Sequence, residues 1–177
     1  MVEINQMQVI MVSSIPGGGK TTFTKELLRQ NPEGVAVSAD DYFVGSDGKY
    51  RYIKDGVHLA HKRCQNLFAY HVDRGTPLII VDNTNLESKH MVYYHDLAER
   101  MGYSFMVVRL NCDPADAFFR QRHNVPEDEF AKMVAMWNKR DVRDEWEVKE
   151  LDYVLGSQNL KQVGQIFLFV VKIIASG

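Results

Sequence analysis

The stretch VIMVSSIPGGGKTTFTKELL, residues 9–28, holds three different patterns in succession. Val9–Val12 is an unbroken apolar run, as in a strand buried on both faces. Phe23 and Leu27, four residues apart, mark one face of a helix that Asn31–Pro32 stops. Between them stand three consecutive glycines, a lysine and two threonines. Glycine is costly to order and packs nothing, so it is used where the backbone must go where a Cβ would obstruct it. A strand, a glycine turn and a helix N-terminus together aim successive backbone N–H groups at an anion.

Set against G-x-x-x-x-G-K-[ST], Gly19, Lys20 and Thr21 match the end of the pattern, and Ser14 stands at its first glycine. Pro16, Gly17, Gly18, Gly19, Lys20, Thr21 and Thr22 are therefore the candidate cradle for the phosphates of a nucleoside triphosphate. Lys20 would reach the β- and γ-phosphates, and Thr21 would offer its hydroxyl to Mg²⁺.

Outward from this stretch, apolar runs alternate with helical periodicity. That predicts an α/β fold, a three-layer αβα sandwich with a mostly parallel sheet, the P-loop nucleoside triphosphate hydrolase or kinase architecture. Strands are expected at Val35–Ser38, Leu78–Asp82 and Phe105–Leu110. Ala60, Cys64, Leu67, Phe68 and His71 keep helical spacing from Val57 to Arg74, and Tyr94, Ala98 and Met101 mark a helix closed by Gly102. A short helix is expected from Pro114 through about His123, and another from Pro126 with Phe130, Val134 and Trp137 on one face. Tyr42 to Gly56 reads as a loop in which Tyr50 and Tyr52 alternate, as an edge strand flanking the acceptor pocket or as a hairpin. RDVRDEWEVKELD, residues 140–152, reads as a charged, exposed segment.

The 177 residues, 45% hydrophobic and 25% charged, suit a single domain over 1–177 with a substantial core. A formal charge of −2 gives no broad cationic field, which argues against a large nucleic-acid footprint or a membrane surface but leaves room for a small local one. Cys64 and Cys112 lie far apart without metal-ligand spacing, as expected of reduced thiols in a cytoplasmic protein. No basic region followed by an apolar block opens the chain, so no signal peptide is expected. The terminal element, 160–177, contains IFLFVVKIIA, Ile166–Ala175, which is interrupted by Lys172 and too short to span a bilayer. It is expected to pack as a core helix or strand.

Two carboxylate stations follow strands. SADDYF, residues 38–43, leaves the second strand where ligands of open α/β sheets bind. One of Asp40 and Asp41 there is placed to accept a proton from an attacking hydroxyl, since adjacent side chains diverge. LIIVDNTN, residues 78–85, ends a buried strand in Asp82, a carboxylate suited to ordering Mg²⁺ together with Thr21. Whether Asp82 or Asn83 faces the metal is open. Asn83 and Asn85 add amides that both donate and accept, suited to a sugar or base edge.

On these stations the chain resembles P-loop kinases of the polynucleotide 5′-hydroxyl kinase type, in the AAA-type P-loop kinase family that includes the kinase-like domain of the myelin cyclic-nucleotide phosphodiesterases. The likeness runs from about Val9 to Arg140. It is carried by PGGGKTT, SADDYF, DGKYRY, AHKRC, IIVDNTNL and VPEDEFAKM, in that order. The resemblance implies that Lys20 and Thr21 hold ATP and Mg²⁺, that Asp40 is the general base, and that His61 belongs near the acceptor. It also implies a lid, about 120–126, whose arginine stabilises the transferring phosphoryl group. FFRQRHN supplies Arg120 and Arg122, between which the sequence does not choose. One departure stands out: the arginine expected three residues after the base is Phe43, with Lys49, Arg51 and Arg63 as substitutes nearby.

The expected reaction is transfer of the ATP γ-phosphate to a hydroxyl, foremost the 5′-hydroxyl of a polynucleotide or nucleoside, so a nucleic-acid 5′ end is one expected partner. The alternatives are a small-metabolite, antibiotic or sugar-nucleotide kinase on the same scaffold, and a nucleotide-gated binding module without transferase activity.

Overall fold

The computed structural model describes residues 7–152. The apolar segment Ile166–Ala175 lies outside the described residues. The strands are β1 (Gln8–Ser13), β2 (Val35–Val37), β3 (Leu78–Asp82), β4 (Ser104–Asn111) and β5 (Glu147–Asp152). They form one sheet in the order β2-β3-β1-β4-β5, every pair parallel. β1 is central, with Met11 level with Val81 on one side and Val107 on the other.

A parallel sheet is covered by its crossover helices, so the central strands must be apolar on both sides. Val9, Met11, Ile79, Val81 and Val107 face one layer, where they meet Phe68 of α2 (Val57–Asp73) and Tyr94 of α3 (Val92–Arg100). Ile10, Val12, Ile80, Met106, Val108 and Leu110 face the other, against Phe23 and Leu27 of α1 (Lys20–Gln30). Each fully buried aromatic or leucine there is worth about 1.5–3 kcal/mol. A third cluster lies beyond the strand tips, where Ile15 and Leu86 meet Ala117 of α4 (Pro114–Arg120) with Phe130 and Trp137 of α5 (Glu127–Asn138). This cluster seats the loop after β1 against α4 and α5.

Two expectations need correction. The segment after α5 is not simply exposed charge. Its second half is β5, paired in register with β4 from Met106–Glu147 to Asn111–Asp152. Charge is common on an edge strand, where it discourages pairing with another chain, and it masked the strand pattern. The short helix also ends earlier than His123. Asp113 caps it by accepting from the Ala115 and Asp116 amides, and it closes at Arg120 because Gln121 turns extended, at φ −58 and ψ 139. The Gln121 amide then bonds back across a short loop, donating to the Val125 carbonyl at 3.0 Å and accepting from its N–H at 2.7 Å.

The Tyr42–Gly56 region opens with a 3-10 turn, Asp40–Phe43, and continues as a hairpin with an antiparallel bridge between Val44 and Tyr50. Among the described residues no helix is long and apolar enough to cross a membrane.

Candidate active site

The turn after β1 is tied to both neighbouring strand ends. Ser14 N–H donates to the Thr84 carbonyl at 3.1 Å, and its hydroxyl donates to the Leu110 carbonyl at 2.8 Å. Ser14 therefore bonds where the motif's usual glycine could not. Gly17 has φ +79, and a Cβ on it would lie 1.9 Å from the Ala117 carbonyl oxygen of α4. A Cβ on Gly18 would lie 2.0 Å from the Ser14 hydroxyl. Gly19, at φ 92, turns the chain into α1. The glycines are thus required by close backbone approach, and the loop leads into a helix N-terminus, the arrangement that receives phosphate.

Lys20 folds over this loop and donates to the Ser14 and Ile15 carbonyls, each at 3.2 Å. Burial pulls its ammonium below the usual lysine value, opposed by the fields of Asp82, then Asp40, then Cys112. Asp82, at the tip of β3, is pushed above the usual carboxylate range by burial. Lys20 and the Thr24 hydroxyl oppose that shift, while Asp40 and Asp41 add to it. One amine and the carboxylates from two different strand ends therefore share one field. Thr21 and Thr22 are exposed on the first turn of α1, and Pro16 is buried behind the loop.

Asp40 and Asp41 diverge. Asp40 is exposed and faces outward to Tyr50, whose hydroxyl donates to its Oδ1 at 3.3 Å, and to His123, with Nε2 3.6 Å from its Oδ2. Asp41 is raised above the usual carboxylate range by partial burial and by Asp40, against the opposing charge of Arg63. His61 lies on α2 within the field of Asp40, and partial burial lowers its imidazole below the usual histidine value. Arg120 turns back from the end of α4, its Nε donating to the Gly17 carbonyl at 3.3 Å. Arg122 is exposed in the loop beyond α4.

The two asparagines turn into the frame. Asn83 accepts from the Ala39 N–H at 2.8 Å and directs its amide to the Cys64 sulfur at 3.6 Å, which locks the tip of β3 to the chain entering Asp40. Asn85 is buried at φ 47, donates to the Val12 carbonyl at 2.8 Å and is held by the Ser13 hydroxyl. Phe43, in place of the expected arginine, is buried against Tyr42, Tyr50 and Tyr52. Arg51 is held by Asp47. Sequence reasoning reaches Tyr50 only as part of an edge strand flanking the acceptor pocket or of a hairpin, and it does not reach His123. They lie far apart in the chain, and no local pattern links them.

The donor set suits a triphosphate with Mg²⁺. The loop is bare of Cβ atoms at its tightest approaches, a buried ammonium is held on loop carbonyls that phosphate oxygens can replace, and a hydroxyl and a carboxylate flank it. Among the described residues no group of three or more His, Cys, Asp or Glu forms a ready-made cage. Mg²⁺ in phosphate sites is characteristically held by one or two protein groups plus phosphates and water.

Residues 9–137 match the family model described as AAA domain. The chain is 27% identical over 135 residues to NEDD4-binding protein 2 of Homo sapiens, a match that covers 74% of this chain and 8% of that much longer relative. Among solved structures, a sugar kinase from a Janibacter species superposes with a TM-score of 0.63 at 16% identity, covering 95% of this chain and 98% of that one. The Pnkp1/Rnl/Hen1 RNA repair complex matches with a TM-score of 0.64 at 15% identity, over 87% of this chain and 50% of the matched one. At such identities the likeness establishes the P-loop kinase fold.

Proposed function

The chain belongs to the AAA domain family, and from that premise we propose that it is an ATP- and Mg²⁺-dependent phosphotransferase that moves the γ-phosphate to a hydroxyl, foremost a polynucleotide or nucleoside 5′-hydroxyl. The observation that carries this reading is the shared field of Lys20, Asp82 and Asp40. In this reading Asp40 would serve as proton acceptor beside a phosphate cradle, which transfer to a hydroxyl requires and simple nucleotide binding does not.

In this reading the backbone from Pro16 to Thr22 and the Lys20 ammonium bind and orient the triphosphate. Thr21 and Asp82 would hold Mg²⁺, which when bound neutralises phosphate charge. Asp40 orients the acceptor hydroxyl and takes its proton as the oxygen–phosphorus bond forms and the bond to the β-phosphate breaks, releasing ADP. Arg120, already at the loop, is the lid cation that faces the transferring group. Arg122 is the cation left at the lid surface. Asp41 and His61 line the acceptor side, and Asn83 acts on the acceptor through Ala39 by fixing where Asp40 begins. The RNA repair complex among the structural neighbours supports a nucleic-acid end as acceptor. The burial of Phe43 favours a second reading, an acceptor without a phosphate at that place, such as a nucleoside or sugar.

A panel of 5′-hydroxyl oligonucleotides, nucleosides and sugars with labelled ATP tests this. The expected result is transfer to an oligonucleotide or nucleoside. Asp40→Asn should lower transfer by about 10²–10⁴-fold with ATP affinity retained in calorimetry, whereas Lys20→Ala should weaken ATP binding itself. Full transfer by Asp40→Asn would remove Asp40 from the chemistry. Tight ATP binding without transfer to any acceptor would leave a binding module.

A further inference from the structure

The loop after α4 reaches across the site to the acceptor station. His123 lies against Tyr50, the rings tilted by 47° with centroids 4.2 Å apart, and its Nε2 lies 3.6 Å from Asp40 Oδ2. Tyr50 in turn donates its hydroxyl to the other oxygen of the same carboxylate, at 3.3 Å. The loop carrying His123 is braced at its base by the paired bonds between Gln121 and Val125, with Asn124 at φ 49. The ring supporting Tyr50 is the buried Phe43, edge-on at 5.9 Å. Two side chains from separate loops thus face the two oxygens of one exposed carboxylate, Tyr50 by a hydrogen bond and His123 at 3.6 Å, from 10 and 83 residues away in sequence.

We propose that His123 and Tyr50 are positioning residues that hold the Asp40 carboxylate in one orientation, so that docking of the lid loop and alignment of the base are a single event. The proposal rests on the phosphotransferase reading for its consequence in catalysis, but the contact itself can be tested without any turnover. A free aspartate side chain samples several rotamers, and only the one aimed at the acceptor oxygen is productive. Fixing it with one neutral hydroxyl donor and one imidazole leaves the carboxylate able to accept a proton. A lysine or arginine in either place would hold its charge too firmly. The other groups facing Asp40 are Lys20 from α1, Asp41 beside it, Asp82 from β3 and His61 from α2.

The turnover-independent arm uses trypsin on the full chain without nucleotide, cutting at the exposed Arg122 beside His123. His123→Ala and Asp40→Asn should each speed that cleavage several-fold, and combining them should add nothing further. Cleavage at the wild-type rate in both variants overturns the docking. The second arm measures phosphoryl transfer to the best acceptor of the panel. Tyr50→Phe and His123→Ala should each lower kcat by about 10- to 100-fold, with ATP affinity by calorimetry and acceptor KM within about twofold of wild type. His123→Gln, whose amide can donate to the carboxylate, should recover part of the loss. In an Asp40→Asn background neither substitution should lower the residual rate further, because they act through that carboxylate. Undiminished kcat, or an equal loss with and without Asp40, overturns the positioning role. Faster cleavage in a protein that phosphorylates no acceptor would keep the contact and reject the phosphotransferase reading.

Discussion

Gly17 shows how much one missing Cβ determines. Its φ of +79 and the 1.9 Å that would separate a Cβ from the Ala117 carbonyl are independent obstacles, and the second involves backbone that cannot rotate away. Gly48 shares the first obstacle, at φ +73, but has open space around it. Gly17→Ala should therefore cost stability well beyond Gly48→Ala, which carries only the strain of about 1 kcal/mol expected at a positive φ. Denaturant unfolding of the two variants checks the difference, and Gly17→Ala should also lose nucleotide affinity. Equal stabilities would mean that the loop is not pressed against α4. The glycines were legible in the sequence because nothing else explains three in a row. The inward turn of Asn83 and Asn85 was not, because an asparagine that holds backbone and one that offers its amide to a ligand look alike in a sequence.

At the scale of elements, the strands that could be read are those whose residues face apolar layers on both sides, Val9–Val12 and Leu78–Asp82 above all. β5 escaped because, among the described residues, it pairs with β4 alone and most of its own residues are charged. What holds it, besides the ladder to β4, is Arg109, a buried cation on β4 whose Nε donates to Glu150 at 3.1 Å and whose guanidinium stacks on Trp137 at 3.7 Å. Glu150 also accepts from Arg140 at 2.8 Å. Glu150→Ala should destabilise the fold by about 1–3 kcal/mol, the usual cost of leaving a buried polar group without its partner. Thermal unfolding measures it, and an unchanged Tm would show that Trp137 alone satisfies Arg109. The end of α4 follows the same logic. Gln121, not a helix-breaking residue type, ends it by bonding to Val125, and that leaves Arg120 on the helix and Arg122 off it.

At the scale of the whole molecule, the order β2-β3-β1-β4-β5 gathers three chain segments at one end of the sheet. Asp40, Asp82 and Lys20 share an electrostatic environment only because β2 and β1 both flank β3. The result is a site in which burial and charge oppose each other. Asp82 keeps its proton to higher pH when folded than when unfolded, because burial outweighs Lys20. Such a group contributes stability that is present in acid, below its unfolded value, and is lost as pH rises through the raised folded value. Asp82→Asn should accordingly have a higher Tm than wild type at pH 7 without nucleotide, with the gap closing toward about pH 4. Mg²⁺ with ATP should stabilise the wild type more than the variant. A gap that widens in acid would reverse the sign and place the cost elsewhere.

The sequence by itself determined the α/β class, the phosphate loop and the strand tips at which carboxylates stand, since each is written in neighbouring residues by hydrophobic period or glycine spacing. Tertiary structure alone decided that Arg120 rather than Arg122 meets the loop, that Phe43 goes into the core, and that His123 closes on Asp40. Those outcomes depend on which distant side chains become neighbours when the layers pack, and no local pattern records that.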